Sequence, residues 1–174
     1  MEAVLEPLAK QHEPIVWHAN WKVEKYLGDL PTEQDREGHS PYDVIKGEGN
    51  LLLNEGINEV FKLLCNSGSP TAFSQGTARI GVGDSNAGEN ATQTALQGGE
   101  TAYVTCSTVT AGTSQKVTFV ATFDGSTGNF AGGWQEWSVD NGASAAINLN
   151  RKVVNLGVKT SGTTWVFTVE VSLS

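Results

Sequence analysis

The chain has 174 residues with a formal net charge of −8, and only 17% of its residues are charged, a size that suits one domain with an ordinary core. Lys and Arg do not cluster beyond the Arg151–Lys152 pair, which argues against nucleic acid and anionic membrane as partners, because both require a concentrated basic footprint. No apolar run approaches the roughly 18 residues of a membrane span, and the acidic start MEAVLEPLAK lacks the basic flank and apolar stretch of a secretion signal, so a soluble chain with no readable address is expected.

Residues 1 to about 48 hold ten of the nineteen acidic residues, four of the five prolines and all three histidines. This contrast with the Gly-, Ser-, Thr- and Ala-rich remainder predicts an extended N-terminal arm over 1–46 and a β-rich domain over 47–174. Inside the arm, Ile15 to Tyr26 is rich in aromatic and β-branched residues, and Trp17, Ala19, Trp21 and Val23 share a parity, which predicts one strand. Leu27 to Pro31 turns, and TEQDREGHS over 32–40 is too polar for a core and reads as an exposed loop.

The stretch from Gly49 to Asp84 carries the one strong helix signal and then turns into strand. Leu53, Ile57, Val60, Phe61 and Leu64 fall at i, i+4, i+7, i+8 and i+11, one oily stripe on a helix over about 51–65 that is expected to lie down on a sheet. Asn50 is the expected N-cap, and Asn66 with Gly68 supplies the stop. Thr77 to Gly83 predicts a short strand, and 84–99 an irregular surface loop.

Strands then follow at close intervals. Tyr103–Val109, Lys116–Phe123, Gly133–Val139, Ala145–Asn150, Val153–Lys159 and Thr164–Ser174 each show β character, the second and last by clear alternation of apolar and polar residues. Asp140-Asn141-Gly142 is a tight-turn signal. Six to eight strands with one helix predict a mainly β protein, an antiparallel β-sandwich; jelly-roll-like and immunoglobulin-like orders both fit, and the jelly-roll-like one is preferred. Cys65 and Cys106 sit in no metal-like spacing and are expected to be buried free thiols.

Chemistry-bearing patterns are sparse. The histidines, His12, His18 and His39, all fall in the arm, no nucleophile elbow is present, and Gly81-Val82-Gly83-Asp84 lacks the third glycine and the lysine of a phosphate loop. The acids Asp84, Glu89, Glu100, Asp124 and Asp140 fall in or beside loops without the twelve-residue pattern of a calcium site. No enzyme, cofactor or metal is therefore expected. Glu136 between Trp134 and Trp137 is the best case for a sugar site, but alternation along a strand sends one of those tryptophans into the core and leaves the other at a loop edge or contact surface. Trp17, Trp21, Tyr26 and Trp134 are the candidate partner-binding residues, since buried aromatics dominate interface energetics; the arm aromatics alternatively complete the chain's own sandwich.

Taken in order, GEGNLLLNEGINEVFKLL (47–64), ARIGVGDS (78–85), VTFVATF (117–123), WQEWSVDNG (134–142), LNRKV (149–153) and the closing LGVKTSGTTWVFTVEVSLS (156–174) resemble small β-rich structural proteins of tailed bacteriophages. The resemblance covers about 47–174 and leaves the arm outside. It implies a capsid decoration, or cement, protein made in the host cytoplasm, bound to the outer surface of the virion head and bridging major capsid protein subunits, with self-association as a dimer or trimer. It implies no catalysis and no site residue by itself. The alternative is a tail- or fibre-associated binding module, with host glycans as the ligand.

Overall fold

The computed structural model describes residues 16–112 and 114–174. Residues 1–15 of the expected arm, His12 among them, lie outside the described residues.

Two five-stranded antiparallel sheets pack face to face as a β-sandwich, with one helix beside them. The first sheet runs β2 (Asp43–Glu48), β1 (Trp17–Leu27), β10 (Thr163–Leu173), β7 (Lys116–Phe123), β6 (Thr108–Ala111). The second runs β3 (Leu51–Leu52), β9 (Asn150–Gly157), β8 (Trp134–Asp140), β4 (Arg79–Gly83), β5 (Thr101–Thr105). Alternation sets the inner faces. Ala19, Trp21 and Val23 from β1, Phe119, Ala121 and Phe123 from β7, and Phe167, Val169 and Val171 from β10 meet Ile80, Val82, Trp137, Val139 and Leu156 from the other side.

The arm boundary near residue 46 does not survive as far as residues 17–46 are concerned. β1 pairs with β10 along its whole length, Trp17 opposite Leu173 through Leu27 opposite Thr163, and it carries β2 on its other edge. The physical reason lies in the shared parity of Ala19, Trp21 and Val23, which gives this strand an apolar face that only the facing sheet can cover. Trp21 lies directly opposite Gly47, and any side chain at 47 would collide with its ring. Among the described residues, Pro31, Pro41, Asp29, Glu33, Asp35 and Glu37 lie in the link between β1 and β2, whereas Glu24, Asp43 and Glu48 belong to the strands.

Two strand expectations divide differently. The run Tyr103–Val109 breaks at Cys106–Ser107, so that β5 ends one sheet and β6 begins the edge of the other. Ala145 to Asn150 is mostly turn, held by Asn141, whose Oδ1 accepts from the Ile147 N–H at 3.0 Å. The chain reverses after Asp140 through a loop over 141–147 rather than a tight Asn141-Gly142 turn, closed by the Asn141 N–H on the Ile147 carbonyl at 3.2 Å, with Gly142 at φ 67°.

The helix exists and stops where expected, but of its apolar stripe only Leu53 is buried and Ile57 half-buried, while Val60, Phe61 and Leu64 face outward. It spans Asn54–Cys65 and ends on Asn66 in the left-handed region, φ 48°. Its N-cap is Leu53 rather than Asn50, because Leu51–Leu52 pair with β9 and delay the helix. Contact with the body runs through Leu53, Gly56 and Glu59, all buried. At Gly56 a Cβ would overlap the Leu149 carbonyl, so the helix backbone itself closes onto the chain entering β9. Glu59 accepts from the Thr71 N–H at 2.8 Å, and Glu55 from the Asn148 N–H at 2.7 Å. Val60, Phe61 and Leu64 are left 44%, 60% and 79% exposed.

The segment 84–100 lies over the second sheet and is held by a buried ion pair. Arg151 Nε donates to Glu136 Oε2 at 2.6 Å, and both side chains are fully buried. Glu136 also accepts from the Gln97 and Gly98 N–H groups at 2.9 and 2.7 Å, while Arg151 Nη1 reaches Gln93 Oε1 at 3.0 Å. The carboxylate out of water therefore turns its remaining hydrogen-bonding capacity on the loop, and the guanidinium reaches the loop through Nη1 alone, its buried Nη2 having no partner among the described residues.

The two thiols differ, against the expectation that both are buried. Cys106 is buried, and its loss of hydration pushes the thiol pKa up to about 12, whereas Cys65 is exposed at the end of α1. Native protein is expected to react with an aromatic disulfide reagent at one thiol, Cys65, within minutes, and at Cys106 only after denaturant is added. Release of two equivalents from native protein would contradict the packing around Cys106.

Candidate docking surface

Among the described residues, five of the nine exposed large apolar residues, Val16, Val60, Phe61, Leu64 and Leu173, gather toward one end of the sandwich, while Leu27, Tyr42, Val44 and Val158 lie elsewhere. At that end, α1 and the facing ends of β1, β7 and β10 enclose a groove of about 320 Å³ whose walls include Trp17, Leu63, Phe73, Leu149, Val171 and Leu173. Val60 lines the same groove. Through it the groove joins the outer stripe of the helix, because Leu64 is four residues from Val60 and three from Phe61. Val16 and Leu173, 42% and 50% exposed, extend the patch along the sheet end. Scattered apolar residues on a surface need no explanation, but a continuous patch of this kind marks a place where another apolar surface sits.

The groove is held in shape from both sides. The Trp17 indole N–H donates to Asn50 Oδ1 at 2.8 Å, which tethers the ring on the groove wall and explains what Asn50 does instead of capping the helix. The strand ends are tied by reciprocal bonds, Val16 N–H to the Ser174 carbonyl at 2.8 Å and Ser174 N–H to the Val16 carbonyl at 3.2 Å. On the helix side, the Glu59–Thr71 bond fixes the link that carries Phe73.

The four candidate contact residues are not brought together. Trp17 is half-buried on the groove wall. Trp21 belongs to the core, with its ring 6.3 Å from that of Trp137. Tyr26 sits half-buried on the outer face of the first sheet. Trp134 is fully buried, its ring centroid 4.7 Å from those of Phe123 and Trp165.

The sugar site at Glu136 is likewise not assembled. A register shift between Trp134 and Glu136 breaks the strict alternation along β8, so both Trp134 and Trp137 enter the core and Glu136 is sealed against Arg151. Four of the five loop acids are already hydrogen-bonded: Asp84 accepts from Glu100 N–H, Glu89 from Val153 N–H, Asp140 from Arg79, and Asp124 from Ser126 and Thr127. Those bonds hold the Asp124 carboxyl below the usual range, the Ser126 hydroxyl contributing most. Among the described residues no three His, Cys, Asp or Glu side chains come together. Among the described residues no helix is long and apolar enough to cross a membrane.

Phe61, Leu64, Phe73 and Leu173 escaped the sequence reading as contact residues. Phe61 and Leu64 were visible as apolar stripe members; the counter-signal was Gly56, since a small residue on a helix face permits the closest approach and marks the side that docks.

Comparison with protein-family models, with curated proteins and with solved structures finds no match.

Proposed function

We propose that this chain is a virion structural protein of the capsid decoration type, which binds the outer surface of a phage head and bridges major capsid protein subunits, self-associating as a dimer or trimer. The observation that carries the reading is the uncovered apolar end, where a helix stripe and a shaped groove lie open side by side. The net charge of −8 suits an outer face better than one against packaged DNA. The ordered motifs of residues 47–174 add the resemblance to phage structural proteins.

The finer parts of the reading have their own support. A jelly-roll-like order is proposed on the nesting of β1 with β10, β3 with β9, β4 with β8 and β6 with β7 from the ends of the chain inward, with β2 and β5 added at the sheet edges and β8 beside β9.

The test is the double variant Phe61→Ser/Leu64→Ser. Both side chains are exposed, so unfolding midpoints should move by less than about 1 kcal/mol, while co-sedimentation with heads stripped of this protein, and self-association by sedimentation velocity, should fall by at least tenfold. Unchanged binding would remove the apolar end as the contact surface, and wild type that neither binds heads nor self-associates would end the decoration reading.

A further inference from the structure

The opposite face of the first sheet carries a second concavity of different character, a trough of about 1230 Å³. Its floor is the outward side of β1, β10 and β7, where Glu24, Val166 and Thr122 stand in one row across the strands and Lys22, Thr168 and Val120 in the next. Tyr26 closes one end. Hydroxyls and small apolar groups therefore alternate on a flat, rigid surface.

Both walls are fixed before anything binds. The turn over 31–37 is pinned to the sheet by the Leu30 N–H, which donates to Thr164 Oγ1 at 2.7 Å, and by Arg36 Nη1, which donates to the Leu30 carbonyl at 2.8 Å. Thr32 and Asp35 cap one another within it. The facing wall, Val104–Thr108, is the crossing between the sheets, anchored by Cys106 N–H on the Ala78 carbonyl and Ser107 N–H on the Val120 carbonyl, at 2.8 and 2.9 Å. A preorganised trough loses little conformational freedom on binding.

We propose that this trough binds a neutral oligosaccharide. Three observations select that class. First, the charged groups lining the trough are Glu24, Glu33, Glu37 and Arg36, with Lys22 in the next floor row bridged to Glu24 at 2.9 Å; three carboxylates against two cations leave a negative balance that disfavours phosphate, sulfate and sialic acid. Second, the floor is a sheet face whose backbone groups are already paired with neighbouring strands, so an added peptide strand finds no main-chain partners there. Third, a sugar chain presents hydroxyls at its edges and C–H groups on its ring faces. Threonine hydroxyls and carboxylates answer the edges, and Val120, Val166 and the Tyr26 ring answer the faces. The site stands apart from the apolar end and does not rest on the decoration reading.

The experiment uses the full chain with cellohexaose, maltohexaose and N-acetylchitohexaose as neutral probes, followed by amide chemical-shift mapping and calorimetry, with a heparin hexasaccharide and hexalysine alongside. One neutral probe is expected to bind, with shifts centred on Tyr26, Thr122 and Thr168 and an affinity that changes less than twofold between 50 and 500 mM salt. Tyr26→Ala should weaken it at least tenfold, and the shape-preserving Thr122→Val/Thr168→Val should do the same with an unchanged circular dichroism spectrum. Phe61→Ser should leave it intact. Failure of all three neutral probes at millimolar concentration, shifts located elsewhere, or binding of hexalysine alone with strong salt dependence would overturn the proposal.

Discussion

Deleting residues 1–30 destroys the fold, with loss of the β signature in far-UV circular dichroism and of cooperative unfolding. The deletion takes away β1 and with it Ala19, Trp21 and Val23, which are buried in the core. Burial of each large apolar side chain contributes about 1.5–3 kcal/mol, so Trp21 and Val23 alone account for about 3–6 kcal/mol of the roughly 5–15 kcal/mol that keeps a domain folded. The deletion also leaves β10 without its eleven-residue partner and β2 without a sheet to join. Deletion of residues 1–15 is the matched control, because it removes none of these contacts. A 31–174 fragment that melts cooperatively would show that β1 is an accessory strand after all.

Arg151→Met is the point substitution with the largest expected cost. The guanidinium is fully buried against Glu136, and removing it leaves a carboxylate without its counter-charge in the interior, a change that costs about 3–5 kcal/mol. In a domain of this size that corresponds to a fall in Tm of roughly 6–20 °C. The double variant Arg151→Met/Glu136→Gln should recover part of the loss. Its amide oxygen can still accept from Gln97 and Gly98, whereas the unbalanced charge is gone. Hydrogen exchange gives the local readout: the Gln97 and Gly98 amides, which donate to Glu136 at 2.9 and 2.7 Å, should lose protection first in Arg151→Met. Urea midpoints for Arg151→Met within about 0.5 kcal/mol of wild type would mean that the pair has no structural role.

Both results bear on function through geometry. The ion pair secures the loop over the second sheet, and β1 supplies Trp17 to the apolar groove and Tyr26 to the polar trough. One strand thus contributes to two surfaces of opposite character. Their separation follows from its direction, with Trp17 at its first residue and Tyr26 near its last.

The division between what was legible and what was not follows the range of the interactions. Period-two runs fixed β7 and β10 within a residue or so, since alternation of apolar and polar side chains is a local property of the strand. The helix and its stop at Asn66 were legible for the same reason, as local spacing and a residue that tolerates the left-handed region. Trp134 was misplaced because a register shift in β8 is set by pairing with β9 and leaves no mark in the strand's own sequence.

By itself, then, the sequence determined the class of the molecule, a mainly β chain with one amphipathic helix, because apolar periodicity and composition are properties of neighbouring residues. Only the tertiary structure decided which apolar faces are covered. It joined β1 to β10 across most of the chain, matched Glu136 with Arg151, and turned the helix so that Gly56 rather than Phe61 meets the body. A stripe on a helix states that an apolar surface needs a partner, and the shape of the distant segments that come to lie beside it selects which one.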